Sequence, residues 1–185
     1  MAEHVCPWWV GYLLVSPLRR LLQNPTAILA PYVRAEMTVI EPGPGMGFFT
    51  LELARLVGAC GRVVAIDLQP RMIENLRRRA AKAGLSDRIE TRLSRSGGLD
   101  AADLNGTVDF GLAFAVVHEL PDPGHFFAEM IGALKPGGTL LVSEPTGHVT
   151  ETAFNNMLKT AAKAGFRETT RPPIWHGHTV LLSKE

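Results

Sequence analysis

The chain has 185 residues, 46% hydrophobic and 20% charged, with 19 Lys and Arg against 18 Asp and Glu for a formal net charge of +1. A chain of this length buries roughly 70% of the surface it exposes when unfolded, so it can hold a core without metal or disulfide, and a single globular domain over 1–185 is expected. Two cysteines, Cys6 and Cys60, without CxxC spacing exclude a disulfide-dense secreted scaffold and a cysteine-based zinc finger and point to a reducing cytoplasm; the near-zero charge argues against a nucleic-acid binder driven by counterion release.

The first feature in chain order is the uncharged run Val5 to Leu18, which holds Trp8, Trp9 and Tyr12. It is shorter than the ~20 residues that span a bilayer. Glu3 before it, Arg19 and Arg20 after it and Pro17 within it do not fit a signal peptide. It reads as mature protein, part of a helical cover over 1–36 whose aromatic cluster packs as a lid, with peripheral contact to a membrane surface as the alternative. Ser16-Pro17 and Asn24-Pro25 each pair a cap with a proline and start a short helix.

From residue 37 onward, β-rich runs alternate with helical patterns. The spacing predicts strands over 37–41, 63–66, 89–93, 108–114 and 139–143, with helices over 49–56, 70–83, 123–134 and 150–164 between and after them. Gly58, Gly84 and Gly165 suit helix ends, and Lys135-Pro-Gly-Gly138 reads as a turn. The last two strands, 166–170 and 179–183, are joined by a loop too short for a crossover helix, so they should be antiparallel. An open, mostly parallel α/β sheet ending in an antiparallel strand follows.

Ligands of such sheets sit beyond the carboxyl ends of the strands. After the first strand comes Glu41-Pro-Gly43-Pro-Gly45-Met-Gly47, where alternate glycines let the backbone approach a ligand. The dinucleotide pattern GxGxxG would need glycine at Phe48, and no GxxxxGK[ST] occurs, so pyrophosphate and triphosphate binders are disfavoured. Asp67 ends the second strand, where a carboxylate can accept both hydroxyls of a ribose. A ribose without pyrophosphate, attached to a cation that tolerates carboxylates, describes S-adenosylmethionine.

At these residues the chain resembles the class I S-adenosylmethionine-dependent methyltransferases over Met37 to Ser183, through Val39 to Gly47, Val64-Ala-Ile-Asp67, Asp109 to Leu120 and Leu134-Lys-Pro-Gly-Gly138. Val117-His-Glu-Leu-Pro-Asp122 ahead of the LKPGG turn is similar to the small-molecule branch with quinone C-methyltransferases and arsenite methyltransferases. The resemblance implies a Rossmann-like open seven-stranded sheet in the order 3-2-1-4-5-7-6, strand 7 antiparallel, helices on both faces, with 37–185 as catalytic core. It implies that Glu41, Gly43, Gly45 and Gly47 meet the methionine part of the cofactor, Asp67 the ribose, Leu68 and Gln69 the adenine, and Ala115 the sulfonium side through its backbone. The acidic residue that the family often carries after strand three is replaced by Leu93-Ser94-Arg95-Ser96, so Ser94 or a backbone group takes its place.

His118 lies just past the fourth strand, where the family brings methyl donor and acceptor together, and an imidazole there can accept a proton; a hydrogen-bonded loop histidine is the alternative. Glu119 and Glu144 are further candidates at the catalytic and substrate side, with Trp8, Trp9 and Tyr12 as the cover that excludes water. No spacing joins His176 and His178 to His118, and no metal is expected. Arg77-Arg78-Arg79 reads as a solvated helix face rather than an RNA contact. The expected function is in-line methyl transfer from S-adenosylmethionine to a small molecule, leaving S-adenosylhomocysteine. A cofactor-binding regulatory or scaffold protein without catalysis and an RNA methyltransferase are the alternatives.

Overall fold

The computed structural model describes residues 23–94 and 98–185, which fall into two compact units divided after Ser94. Trp8, Trp9, Tyr12, Cys6, the Ser16-Pro17 helix start, Arg95 and Ser96 lie outside the described residues.

The unit 23–94 begins with α1 (Pro25–Leu29), where the side chain of Asn24 accepts hydrogen bonds from the N–H groups of Thr26 and Ala27. The cap-then-proline signal is therefore used as expected. β1 (Thr38–Pro42), α2 (Thr50–Leu56), β2 (Arg62–Asp67), α3 (Pro70–Lys82) and β3 (Ile89–Leu93) follow. β1 and β3 both pair parallel to β2, with Pro42 opposite Ile66 and Asp67 opposite Leu93. Three carboxyl ends are thus brought level. Val39, Ile40 and Val63 through Ile66 are buried in succession rather than alternately, as in strands covered on both faces. α3 buries Met72, Ile73, Leu76 and Ala80 along one stripe and ends at Gly84, whose φ of 66° suits glycine.

In the unit 98–185, β4 (Val108–Phe114) pairs parallel with β5 (Leu134–Pro145), and α4 (Pro123–Ala133) connects them. α5 (Glu151–Lys163), capped by the Thr150 hydroxyl, leads to β6 (Phe166–Thr170) and β7 (Gly177–Lys184). β7 runs antiparallel to both β5 and β6. The strand order is 3-2-1-4-5-7-6, the predicted topology. The fully buried Phe127 of α4 packs edge-on to Phe126 and to Phe166 of β6, at ring-centre distances of 5.2 and 6.0 Å.

One predicted boundary is corrected. The fifth strand starts at Leu134 instead of 139, because Leu134 already pairs with Val108 before the ladder resumes at Phe110 opposite Thr139. Lys135 to Gly138 is an excursion inside the strand, made by Gly137 at φ 76° and tied down by a 2.5 Å bridge from Lys135 to Asp109. A proline and two glycines look like a terminator in one dimension; pairing on either side of them makes a bulge.

Phe127→Ala removes a ring with no exposed surface, and urea unfolding should show a loss of about 3–5 kcal/mol. A loss below about 1 kcal/mol would show that this aromatic cluster does not anchor α4.

Candidate functional site

In the unit 23–94 the loop after β1 is braced from several sides. The N–H of Gly43 donates to the carbonyl of Ile66 (2.9 Å), so the loop leaves β1 fastened to β2. Asp67, 9% exposed, accepts from the N–H of Gly45 with Oδ2 (3.2 Å) and from the N–H of Gln69 with Oδ1 (2.8 Å). One carboxylate thereby joins the loops after β1 and β2. Gly47 has φ 82°, and a Cβ there would lie 2.3 Å from Cδ1 of Leu76. Only glycine allows both that backbone angle and the close approach of α3.

Arg79 adds a brace that the sequence did not suggest: its guanidinium donates to the carbonyl of Met46. The expectation that Arg77 to Arg79 form a solvated face holds for Arg77 and Arg78, which are exposed, and is corrected for Arg79. Arg78 pairs with Glu74 on the exposed side and Arg77 hydrogen-bonds to Thr91, whereas Arg79 turns to the glycine loop. An i, i+2 offset on a helix puts residues on different faces, so three adjacent arginines cannot share one fate.

Glu41 is 3% exposed, and its Oε2 has no hydrogen-bond partner among the described residues. Burial pushes its carboxyl up to about 8; the neighbouring Thr50 hydroxyl opposes the shift and the negative charge of Asp67 adds to it. A buried acceptor without a donor costs free energy that a ligand's donor recovers. Leu68 and Leu93, following or ending β2 and β3, are 41% and 48% exposed, an unusual place for bare leucine. Leu93 was passed over in sequence because it reads as the last residue of an ordinary strand. Ser94 spends its N–H on the carbonyl of Asp67 (2.9 Å), so that group is not what an adenine would meet.

In the unit 98–185, β4 gives way to Ala115, held at φ 56° with its N–H donating to the carbonyl of Ser143 (2.7 Å). A left-handed alanine costs on the order of 1 kcal/mol. It swings the chain into the short turn Val117–Glu119, over the end of β5. Glu144 there has no exposed side-chain surface; Oε1 accepts from the N–H of Val117 (2.8 Å) and Oε2 binds Nδ1 of His118. The His118 side chain is 21% exposed. Its imidazole pKa is raised, first by the hydrogen bond to Glu144, against partial burial, and then by the charges of Glu144 and Glu119. His148 approaches it edge-on at 5.8 Å. Glu144 thus sits beneath His118 and supports it. His176 and His178 are engaged elsewhere, His178 stacking on Phe154 and His176 lying against Trp175.

Residues 34–178 match the model of a methyltransferase-domain family. The arsenite methyltransferase of Halobacterium salinarum is 32% identical to this chain over 121 residues, 65% of this chain and 30% of that protein. A ubiquinone/menaquinone biosynthesis C-methyltransferase of Hahella chejuensis is 32% identical over 126 residues, 66% of this chain and 50% of that protein. The chain therefore spans 30% to 50% of the length of these relatives. Among solved structures, a SAM-dependent methyltransferase from Aquifex aeolicus superposes with a TM-score of 0.86 at 25% identity, covering 98% of this chain and all of the other.

Between pH 4.5 and 8 the folded protein keeps a proton on Glu41 that the unfolded chain has released, so in the absence of ligand stability falls as pH rises through that window. Glu41→Gln should flatten this slope in urea titrations run from pH 5 to 8.5; an unchanged slope would mean that Glu41 is ionised in the folded state.

Proposed function

The chain belongs to the methyltransferase-domain family, and on that premise we propose that it transfers a methyl group from S-adenosylmethionine to a small-molecule acceptor and releases S-adenosylhomocysteine. The observation that carries the reading is the buried carboxyl of Glu41, short of one donor, beside a glycine loop that Asp67 braces. S-adenosylmethionine fits these residues by its chemistry: it brings an ammonium, a sulfonium and ribose hydroxyls, and no phosphate to be repelled by two carboxyls. Bound there, it supplies an electrophilic methyl carbon on a positively charged sulfur.

Each residue has a definite task in this reading. Glu41 takes the amino group of the methionine part, and the positive charge favours its ionised form. Gly43, Gly45 and Gly47 keep the loop free of side chains. Asp67 braces both loops through its own backbone partners and presents its carboxylate, an acceptor, to the ribose hydroxyls. Leu68 and Leu93 cover the adenine faces, with Gln69 and Ser94 at its polar edge. Ala115 offers backbone toward the sulfonium, His118 takes a proton from the acceptor, and Glu119 keeps the surroundings negative.

The similarity to arsenite and quinone methyltransferases supports a small acceptor. Arsenite itself fits poorly, because trivalent arsenic prefers thiolates and the one cysteine among the described residues, Cys60, precedes β2 at the end opposite Asp67. Six extended residues put roughly 20 Å between them. No helix among the described residues is long and apolar enough to cross a membrane. The cysteine usage supports a reducing, cytoplasmic setting.

Calorimetric titration with S-adenosylmethionine, S-adenosylhomocysteine and NAD tests the reading. Micromolar binding of the first two and none of NAD is expected. Asp67→Asn, which keeps one oxygen for the backbone braces, should weaken binding roughly 10-fold or more, by the ~1.5–3 kcal/mol of a hydrogen bond to a charged group. Preference for NAD, or no binding of either adenosyl compound, refutes it.

A further inference from the structure

Resting on the methyl-transfer reading, we infer that the acceptor is a protic compound, a hydroxyl or acidic C–H that must lose its proton to be methylated, and that the Glu144–His118 pair exists to take that proton. Three observations converge on it. Glu144 has no exposed side-chain surface, and both of its oxygens are committed, one to the N–H of Val117 and the other to Nδ1 of His118. With Nδ1 donating its hydrogen to the carboxylate, the neutral ring carries its lone pair on Nε2, the only nitrogen left for a substrate. The backbone is bent to make this arrangement, through the left-handed Ala115 just before the turn that carries His118.

An acceptor that attacks through a lone pair with no proton to lose, such as a thiolate or arsenite, has no use for such a base. A carboxylate buried only to hold a loop would be satisfied by backbone donors, whereas this one gives an oxygen to a partly exposed imidazole. Among the described residues, the charged and titratable groups facing His118 are Glu144 from the end of β5, Glu119 from the same turn and His148 from the loop after β5. Both carboxylates favour the imidazolium that proton capture creates.

The step balances as follows. The acceptor's O–H or C–H bond breaks, its proton bonds to Nε2 of His118, and the electron pair stays on the accepting atom. That pair then forms the new bond to the methyl carbon as the carbon–sulfur bond breaks with its pair left on sulfur. His118 afterwards returns the proton to water. Glu144 is a positioning residue, since it acts through the imidazole.

Two measurements on the full chain test the inference. In the ligand-free protein, NMR titration of labelled histidines, with the His118 signal identified from the spectrum of His118→Asn, should place the His118 pKa above the ordinary histidine value. In Glu144→Gln it should fall back toward the ordinary value, and Glu144→Asp should restore part of the difference. No change in Glu144→Gln overturns the pairing.

The second measurement follows S-adenosylhomocysteine formation with catechol as the protic acceptor and arsenite with glutathione as the acceptor that needs no base. Catechol turnover is expected to rise with pH through the His118 pKa, to shift to lower pH in Glu144→Gln, and to drop about 10²–10⁴-fold in His118→Ala with donor binding retained. Transfer to arsenite alone, undiminished catechol turnover in His118→Ala, or donor binding without transfer to catechol each overturns the inference while the donor-binding reading stands. Failure to bind the donor at all overturns that reading first, and is seen separately in the calorimeter.

Discussion

The glycine loop keeps its shape because one carboxylate ties two strand ends together. A chain that alternates glycine with other residues has little preference for any single conformation, so its form must be imposed from outside. Asp67 imposes it with an oxygen for each loop, Gly45 on one side and Gln69 on the other. α3, the helix that follows, finishes the work with Leu76 against Gly47 and Arg79 on the carbonyl of Met46. β2 and α3 thus form the mould for the loop after β1. A substitution in any of these residues acts on the shape of the glycine loop through backbone geometry.

Glu41 and Glu144 show how burial alone does not define a carboxyl's role. Both are almost inaccessible. Glu41 lacks a donor for one oxygen, and burial drives it toward the protonated form. Glu144 has a donor for each oxygen, one from the backbone and one from an imidazole. An incompletely satisfied buried carboxyl is a place for a ligand's cation or hydrogen-bond donor; a satisfied one is a fixed negative end that orients its partner. The two carboxyls lie in different units, and in the proposed reading they serve donor recognition and proton handling.

The turn that carries His118 has its own constraint. A left-handed alanine and a buried charge are both unfavourable by themselves, and they occur within one turn of His118. Folds tolerate such costs where a side chain must be held in one orientation. Holding an imidazole by Nδ1 fixes its tautomer as well as its direction, which is what distinguishes a base from a surface histidine.

Much of this was legible in one dimension because the relevant signals are local. Uninterrupted apolar runs, 3.6-residue periodicity and glycine at helix ends report the environment of single elements, so β3, β4 and β6 were bounded to the residue. Glu41, the glycines and Asp67 stand out in the sequence because strand ends and glycine spacing mark where an α/β sheet binds ligands. The Lys135–Gly138 bulge, the turn of Arg79 toward Met46, the bare Leu93 and the support of His118 by Glu144 were decided by tertiary structure. Each is a relation between segments far apart in the chain. His118 and Glu144 meet because β4 and β5 pair with Phe114 opposite Ser143, which brings the residues just beyond each strand together. Register is set by packing and hydrogen bonding over whole strands, and no residue type or spacing near His118 encodes it.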